Sequence, residues 1–416
     1  MTRRMRRATR RAILASVAMG IVVAGVLASS CAPKPRVTQA PFVATKPDGA
    51  PHPARVLILE AVPQATVAVG GPYTLALPAD KGSEASRVLA GGQVLVASVA
   101  RVSAAALIVG ERHFPDNEVV LTTGPDGAVT VDGKRYRGGL ILRRAGEDKL
   151  SVVNVLRIED YLYSVLGGET YASWPAAALE AQAIVARSYA MWRMAQRREQ
   201  PFDLYATVLD QRYEGMASEG PSFRSAVDRT AGAVLLYQMQ LFRCYYHSTC
   251  GGHTEAVENV FPDPPLLPLS AVPCQYCKGS KHFRWQVTIP KGELADALRK
   301  NGASVQQVVS LSVGRRTEAG RALAVVVGVE GGRELVMPAG DFRLAVGARR
   351  LPSAWFEAKD LRTRIEFDGR GWGHGVGMCQ WGAKGMADAG SSTAEILRHY
   401  YPGAEVQRLY DGRGSS

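Results

Sequence analysis

Short runs of β-branched and apolar residues alternate with turn signals along residues 54–158. The run ARVLILEA at 54–61 and the run GGLILRR at 138–144 are typical of strands, and Pro-Asp-Gly at 125–127 is a hairpin-type turn. This pattern predicts an all-β region at the start of the folded body.

The hydrophobic pattern changes at Ser173. Residues 173–199 predict one long helix, with Ser173 as its N-cap and Pro175 in its first turn. Small and apolar residues recur at intervals of four and three, which indicates a stripe packed closely against another element: Ala177, Ala181, Ile184, Ser188 and Met191.

Strand-like runs return at 230–262, and residues 283–346 alternate strands with a helix, as in a small inserted α/β module. Ser392 and Glu395 form a capping-box signature that opens a last helix. We therefore predict an α+β fold with a β-rich N-terminal region, a mixed α/β core containing the long helix, and the inserted module. The predicted boundaries are 1–31 for an export signal, 32–53 for a linker, 54–150 for the β-rich region, 151–282 and 351–405 for the two parts of the core, 283–350 for the module, and 406–416 for a tail.

The N-terminal residues predict where the protein is located. Six of the fifty Lys and Arg residues lie in the first eleven positions, and an apolar stretch of the kind found in export signals follows them. Because VLASSC resembles a bacterial lipoprotein cleavage site, Cys31 is the predicted lipidation site; an uncleaved membrane anchor is the alternative. Either way we expect the body to be exported and held at the cell envelope. The net charge of +12 suits a polyanionic wall, and no basic-aromatic pattern indicates nucleic-acid binding.

Residues 367–378, FDGRGWGHGVGM, place glycine at every second position from 369 to 377. In an extended chain one face would be bare backbone and the other would carry Trp372 and His374. One interpretation is an open groove where sugar rings lie against the backbone, with Trp372 stacking, His374 hydrogen bonding, and Gln380 and Trp381 continuing the wall. The other interpretation is close packing within the protein.

Glu169 lies in VLGGETYASWP, next to the start of the long helix and near Tyr171 and Trp174 in sequence. A partly dry, aromatic setting raises the pKa of a carboxyl group and suits it to donate a proton near neutral pH. The alternative is a glutamate that only complements the helix dipole.

Five cysteines follow Cys31, at 244, 250, 274, 277 and 379. Cys274 and Cys277 form a C-x-x-C pair, and His247 and His253 flank Cys250. This set predicts a closed, structural zinc site with three thiolates and either His247 or His253 as fourth ligand; a disulfide is the alternative. Cys379 has no cysteine near it in sequence and is predicted to be a small packed residue.

Four blocks in order resemble the SpoIID/LytB family of bacterial cell-wall proteins. They are EDYLYSVLGGETYASWPAAALEAQAIVARSYA, DQRYEG at 210–215, YYHSTCGGHTE at 245–255 and GWGHGVGMCQWGAKGMA at 371–387, followed by EILRHYYPG. The chain departs from the family pattern at Thr170, where Met is usual, and at Cys379, where Ser is usual.

The resemblance implies a lytic transglycosylase that cleaves the MurNAc–GlcNAc bond of peptidoglycan and forms 1,6-anhydroMurNAc, with Glu169 as its single acid and base. It also implies substrate-binding roles for Arg187, Asp210 and Gln211, and zinc near the YYHSTCGGHTE block. Two alternatives stay open: a non-catalytic wall-binding protein that enhances an amidase, and a zinc hydrolase.

Overall fold

The computed structural model of the chain describes residues 52–77, 87–103 and 106–411. The predicted export signal, most of the linker and the lipidation site Cys31 therefore lie outside the described residues. In the part that is described, no helix combines the length and the apolar character needed to cross a membrane.

Twelve strands form the β-rich region. They are β1 (Ala54–Val62), β2 (Gln64–Val69), β3 (Tyr73–Leu77), β4 (Arg87–Gly92), β5 (Leu95–Ser103), β6 (Ala106–Val109), β7 (Arg112–Phe114), β8 (Glu118–Thr123), β9 (Ala128–Val131), β10 (Lys134–Arg137), β11 (Gly139–Arg144) and β12 (Leu150–Leu156). One sheet contains β1-β12-β11-β8-β3-β4 and the other β10-β9-β2-β5-β6-β7. Alternate side chains of both sheets, such as Val67 and Leu121, share one apolar core.

The chain then turns helical: α1 (Ile158–Glu169), α2 (Ala176–Gln196), β13 (Leu204–Tyr205), α3 (Pro221–Arg229), β14 (Ala233–Tyr237), β15 (Gln240–Leu241) and β16 (Tyr246–His247). The long helix α2 starts three residues later than its predicted cap at Ser173. The Trp174 N–H closes a turn on the Tyr171 carbonyl, and Pro175 is extended (ψ 146°), so helical geometry begins only at Ala176. The predicted stripe of α2 is buried from Ala181 to Met191.

The inserted module has its own apolar core and contains β17 (Arg284–Pro290), α4 (Lys291–Lys300), β18 (Val308–Val313), β19 (Ala324–Val329), β20 (Arg333–Pro338), α5 (Ala339–Val346), β21 (Phe356–Asp360) and β22 (Arg364–Arg370). Its strands form two three-stranded sheets, β17-β22-β21 and β18-β19-β20. The predicted α+β class with a small α/β module is confirmed.

The last elements return to the core: β23 (Met378–Cys379), α6 (Gln380–Asp388), α7 (Thr393–Tyr400) and β24 (Glu405–Arg408). The predicted capping box of Ser392 and Glu395 is present at α7. Parallel pairing of β23 with β16 sets Cys379 beside His247. Helix α6 begins directly after β23, and its first residue, Gln380, reaches the Glu169 carbonyl at the end of α1.

Candidate active site and tetracysteine centre

Glu169 is the last residue of α1, so it lies at the C-terminal end of that helix and not at the N-terminus of α2, which is the predicted place. Its side chain is half-buried, and its Oε1 accepts the N–H of Arg212 at 2.9 Å. Burial raises the pKa of the Glu169 carboxyl, and the amide and charge of Arg212 oppose that rise only in part. The alternative of a glutamate stabilised by a helix dipole is wrong, because the C-terminal end of α1 disfavours a negative charge.

Three aromatic side chains lie together beside Glu169. The ring centroids of Tyr171 and Trp174 are 5.7 Å apart, and Trp381 lies 5.6 Å from Trp174. Tyr171 is 56% exposed, whereas Trp174 is buried beneath it. We call Tyr171, Trp174 and Trp381 the aromatic shelf. Gln380, next to Trp381, connects the shelf to the acid, because its Nε2 donates to the Glu169 carbonyl at 3.2 Å. The structure therefore brings together the predicted residues Glu169, Gln380 and Trp381.

Asp210 and Gln211 have side chains that bond to other residues of the protein, so their polar groups are not free to bind a substrate. The buried Asp210 carboxylate accepts from Tyr189, Arg193 and Arg197 and from the Tyr205 amide. The buried Gln211 side chain bonds Tyr161, Tyr246 and the Ala186 carbonyl. Their predicted contact with substrate is corrected: these two residues hold the segment from which the Arg212 amide reaches Glu169.

The prediction that Arg187 is a groove residue is also corrected. Its side chain is fully buried, and its Nη2 lies 2.6 Å from Oε2 of Glu159 in the first turn of α1. Its remaining N–H groups donate to the carbonyls of Val227 and Ala233 and to Thr230. Arg187 is therefore an internal cross-link between α1, α2 and the end of α3.

The glycine-rich segment is not an extended strand beyond Arg370, where β22 ends. Gly371, Gly373, Gly375 and Gly377 all have positive φ, from 69° to 111°. A Cβ at Gly371 would lie 2.6 Å from the Thr249 carbonyl oxygen, and one at Gly377 would lie 2.0 Å from that of Tyr245. The close-packing interpretation is correct, and the bare groove for sugar rings is wrong.

This packing also explains why the side chains of Trp372 and His374 contact other residues of the protein. The Trp372 ring packs against His282 in a tilted arrangement with the ring centroids 4.1 Å apart, and its backbone pairs with Thr249. His374 uses both ring nitrogens inside the protein: Nε2 bonds the Tyr246 carbonyl and Nδ1 accepts the Val376 N–H. Burial holds the pKa of His374 well below its usual range, and the charges near it act in the same direction. The predicted hydrogen bond from His374 to a sugar is corrected, because no ring nitrogen is left free.

Four buried thiols converge at one point: Cys250, Cys274, Cys277 and Cys379. Their sulfur atoms all lie within 4.8 Å of one another, and those of Cys250 and Cys277 are 3.4 Å apart. Tetrahedral coordination at about 2.3 Å per sulfur places sulfurs about 3.8 Å apart, so the spacing fits a metal ion. Tyr400 contacts Cys274 Sγ at 3.1 Å, and the Gly382 amide donates to Cys379 Sγ at 3.3 Å. All five described cysteines are free thiols, so the structure does not contain the alternative disulfide.

The fourth member of this cluster differs from the prediction. Cys379 takes the place expected for His247 or His253, and it is not merely a packed residue. His247 Nδ1 bonds the Val376 carbonyl, and His253 Nδ1 bonds the carbonyl of Thr254. Cys379 lies far from the other three in sequence, and the signal that could have found it was its presence where the family usually has Ser.

Comparison with known proteins matches the site to a family. A family model described as stage II sporulation protein matches residues 146–237, which include α1, Glu169 and α2. A model described as a domain of unknown function matches residues 275–377, which include the module.

Three curated relatives agree. An uncharacterized protein of Brachyspira hyodysenteriae is 34% identical over 67% of this chain and 73% of its own length. The stage II sporulation protein D of Bacillus subtilis is 29% identical over 62% of this chain and 76% of its own length. The amidase enhancer of the same species is 26% identical over 67% of this chain but only 45% of its own length. The chain belongs to the SpoIID/LytB family, which is linked to the bacterial cell wall.

Proposed function

We propose that this protein is a peptidoglycan lytic transglycosylase in which Glu169 is the only acid and base. The observation that carries the proposal is a half-buried carboxyl with a raised pKa close to an aromatic shelf whose outer ring, Tyr171, is exposed. No ion pair to Glu169 occurs within the described parts of the chain. Such a carboxyl holds its proton to a higher pH than an ordinary glutamate does, and it can give that proton to a glycosidic oxygen.

Glu169 would protonate the oxygen that links MurNAc to GlcNAc, and the C1–O bond would break with departure of the GlcNAc hydroxyl. The N-acetyl group of the substrate can stabilise the positive charge that develops at C1. The MurNAc C6 hydroxyl would then attack C1 and return its proton to Glu169, which forms the 1,6-anhydro ring. During the interval the Arg212 N–H stabilises the Glu169 carboxylate.

This reaction needs no second carboxylate, because no water molecule has to be activated. Glu214, in the segment whose Arg212 amide reaches Glu169, is held by the Nε of Arg212 at 2.7 Å. Tyr171 and Trp381 offer ring faces to a sugar, and Gln380 fixes the backbone of the acid. The glycan strand would therefore lie along the aromatic shelf and not along the glycine-rich segment.

We propose that the tetracysteine cluster holds a structural zinc ion. The four thiolates complete a tetrahedral site, leaving no open position, so the ion would cross-link chain segments without activating water. Cys379 directly precedes Gln380 and Trp381, which places this cross-link next to the active site. Chelation should therefore lower both the unfolding temperature and the activity, whereas a zinc hydrolase would lose activity and keep its fold.

A second candidate function is enhancement of a cell-wall amidase without cleavage of glycan, because the amidase enhancer of Bacillus subtilis is similar over 67% of this chain. For either function we propose export to the cell envelope, with the protein held at the membrane by a lipid on Cys31 or by an uncleaved anchor.

The test is to digest purified peptidoglycan, with and without its stem peptides, using the wild-type protein and the Glu169→Gln variant. Soluble glycan fragments from the wild type alone would support the transglycosylase. If neither protein releases fragments from either substrate, but both accelerate an added amidase, the enhancer function replaces it.

A further inference from the structure

A buried arginine connects the inserted module to the tetracysteine centre. Arg321 lies between β18 and β19, and only 3% of its side chain is exposed. Its Nη2 donates to the Cys250 carbonyl at 2.7 Å and to the His253 carbonyl at 3.3 Å. The module thus places a guanidinium directly against the chain segment that supplies the first thiol.

This guanidinium is incompletely paired within the described structure. Its Nε and Nη1 are buried and have no hydrogen-bond partner there. Glu255 Oε2 lies 3.9 Å from Nε, and that oxygen already accepts the Thr317 hydroxyl. The other oxygen of Glu255 accepts from Asn259. A buried cation in this state is costly unless further negative charge lies close to it.

Thiolates of a metal-loaded tetracysteine centre would supply that negative charge. Cys250, whose carbonyl accepts from the Arg321 Nη2, is one of the four thiols, so the guanidinium lies against a ligand of the proposed centre. Four thiolates around a divalent ion carry a net charge of −2, so a loaded centre attracts a cation more strongly than neutral thiols do.

The backbone is shaped to admit the guanidinium. A Cβ at Gly375 would lie 2.6 Å from both Cζ and Nε of Arg321, and Gly375 has φ +92°. Any other residue at this position would collide with the guanidinium in a backbone conformation that favours glycine. Gly375 therefore leaves the space that the guanidinium of Arg321 occupies.

We propose that Arg321 is the counter-cation of the tetracysteine centre, supplied by the module to retain a divalent ion on four thiolates. Arg321 is a positioning residue that acts through the ligands and does not touch the ion. The proposal rests on the metal centre proposed above. It gives the module a function, because the core alone supplies four thiolates without this charge.

The experiment compares full-length wild type with Arg321→Met, Arg321→Lys and the control Arg316→Met. Arg316 lies in the same hairpin and also donates to backbone carbonyls, but its ion-pair partner is the exposed Glu357. Bound zinc is measured in each purified protein, followed by the rate at which a chromophoric chelator removes it, with circular dichroism as a check on folding.

We expect Arg321→Met to bind zinc about 10-fold to 100-fold more weakly, the usual effect of losing an outer partner of a metal site. Arg321→Lys should recover most of this loss, and Arg316→Met should match the wild type. Equal zinc retention by wild type and a folded Arg321→Met would overturn the counter-cation, as would equal losses in the Met and Lys variants. A wild type that holds no zinc, even after incubation with it, would overturn the metal centre itself.

Discussion

Helix α1 carries a glutamate at each end, and the two have opposite surroundings. Glu159, in the first turn, accepts from Arg187, from the Gly232 amide and from the Tyr410 hydroxyl. Glu169, the last residue, accepts only the Arg212 amide among the described contacts of its carboxylate. The helix dipole stabilises a negative charge at the first position and disfavours it at the second. One residue type is therefore held by an ion pair at one end of the helix, whereas at the other end its surroundings suit the proton donor of the proposed reaction.

The largest expected effect comes from removing the donor. Glu169→Gln keeps the shape of the side chain and loses its proton transfer, so turnover of peptidoglycan should fall by about 10²-fold to 10⁴-fold. Its unfolding free energy should not fall, because no ion pair is broken. Release of soluble glycan fragments and urea denaturation are the two measurements. Glu214→Gln, which removes an exposed acid nearby, is the control and should retain activity.

At the first turn of α1, a substitution should lower the stability of the fold, in contrast to Glu169→Gln at its last residue. Arg187→Met leaves the Glu159 carboxylate without its cation, and breaking a buried pair in this way costs about 3–5 kcal/mol of unfolding free energy. Chemical denaturation measures this loss. Arg229→Met removes an exposed pair with Glu180 and should cost less than about 1 kcal/mol. If both variants were equally stable, Arg187 would not be the internal cross-link described here.

The raised pKa of Glu169 also predicts a pH dependence with a defined sign. The pKa of Glu169 is raised in the fold above its ordinary value of 4.5. Its contribution to stability is therefore fully present below the unfolded pKa and is lost as pH rises through the folded pKa. Wild type should lose stability relative to Glu169→Gln over that interval, and activity should fall over the same interval as the acid loses its proton. If the wild type instead gained stability relative to Glu169→Gln as the pH rises, that result would contradict the raised pKa.

The smallest expected effect concerns the aromatic shelf. Tyr171→Ala removes an exposed ring that contacts Trp174 and Trp381, so it should weaken glycan binding by about 0.5–1.5 kcal/mol and leave the fold intact. Binding of catalytically inactive protein to insoluble peptidoglycan measures this difference. Phe202→Ala, a half-buried ring that packs on Tyr205 in a different segment, is the control and should bind as the parent does.

Local patterns predicted the elements better than the contacts between them. The periodicity of small residues found α2, and the capping box found α7, because both signals lie within a few neighbouring residues. The role of Arg187 required knowledge of which face of α2 meets α1. The fourth thiol required the pairing of β16 with β23, which brings Cys379 to Cys250 across more than a hundred residues.

The glycine-rich segment illustrates the same limit. Alternation at every second position resembles a strand, but the positive φ angles of Gly371 to Gly377 make it a coiled path between packed neighbours. Trp372 and His374 were therefore assigned to a wall that the backbone does not form. The structure brings Gln380 to Glu169, where two family blocks meet, while the predicted roles of Glu169, Gln380 and Trp381 stay predictions.

The most direct test of the central claim is mass spectrometry of the new glycan ends that the wild-type protein makes. Proton donation by Glu169 followed by attack of the C6 hydroxyl predicts 1,6-anhydro ends, which are lighter by one water molecule than reducing ends. Anhydro ends that are absent from the Glu169→Gln digest would support the account. Reducing ends would mean that water is the nucleophile, which would contradict a single acid and base at the end of α1.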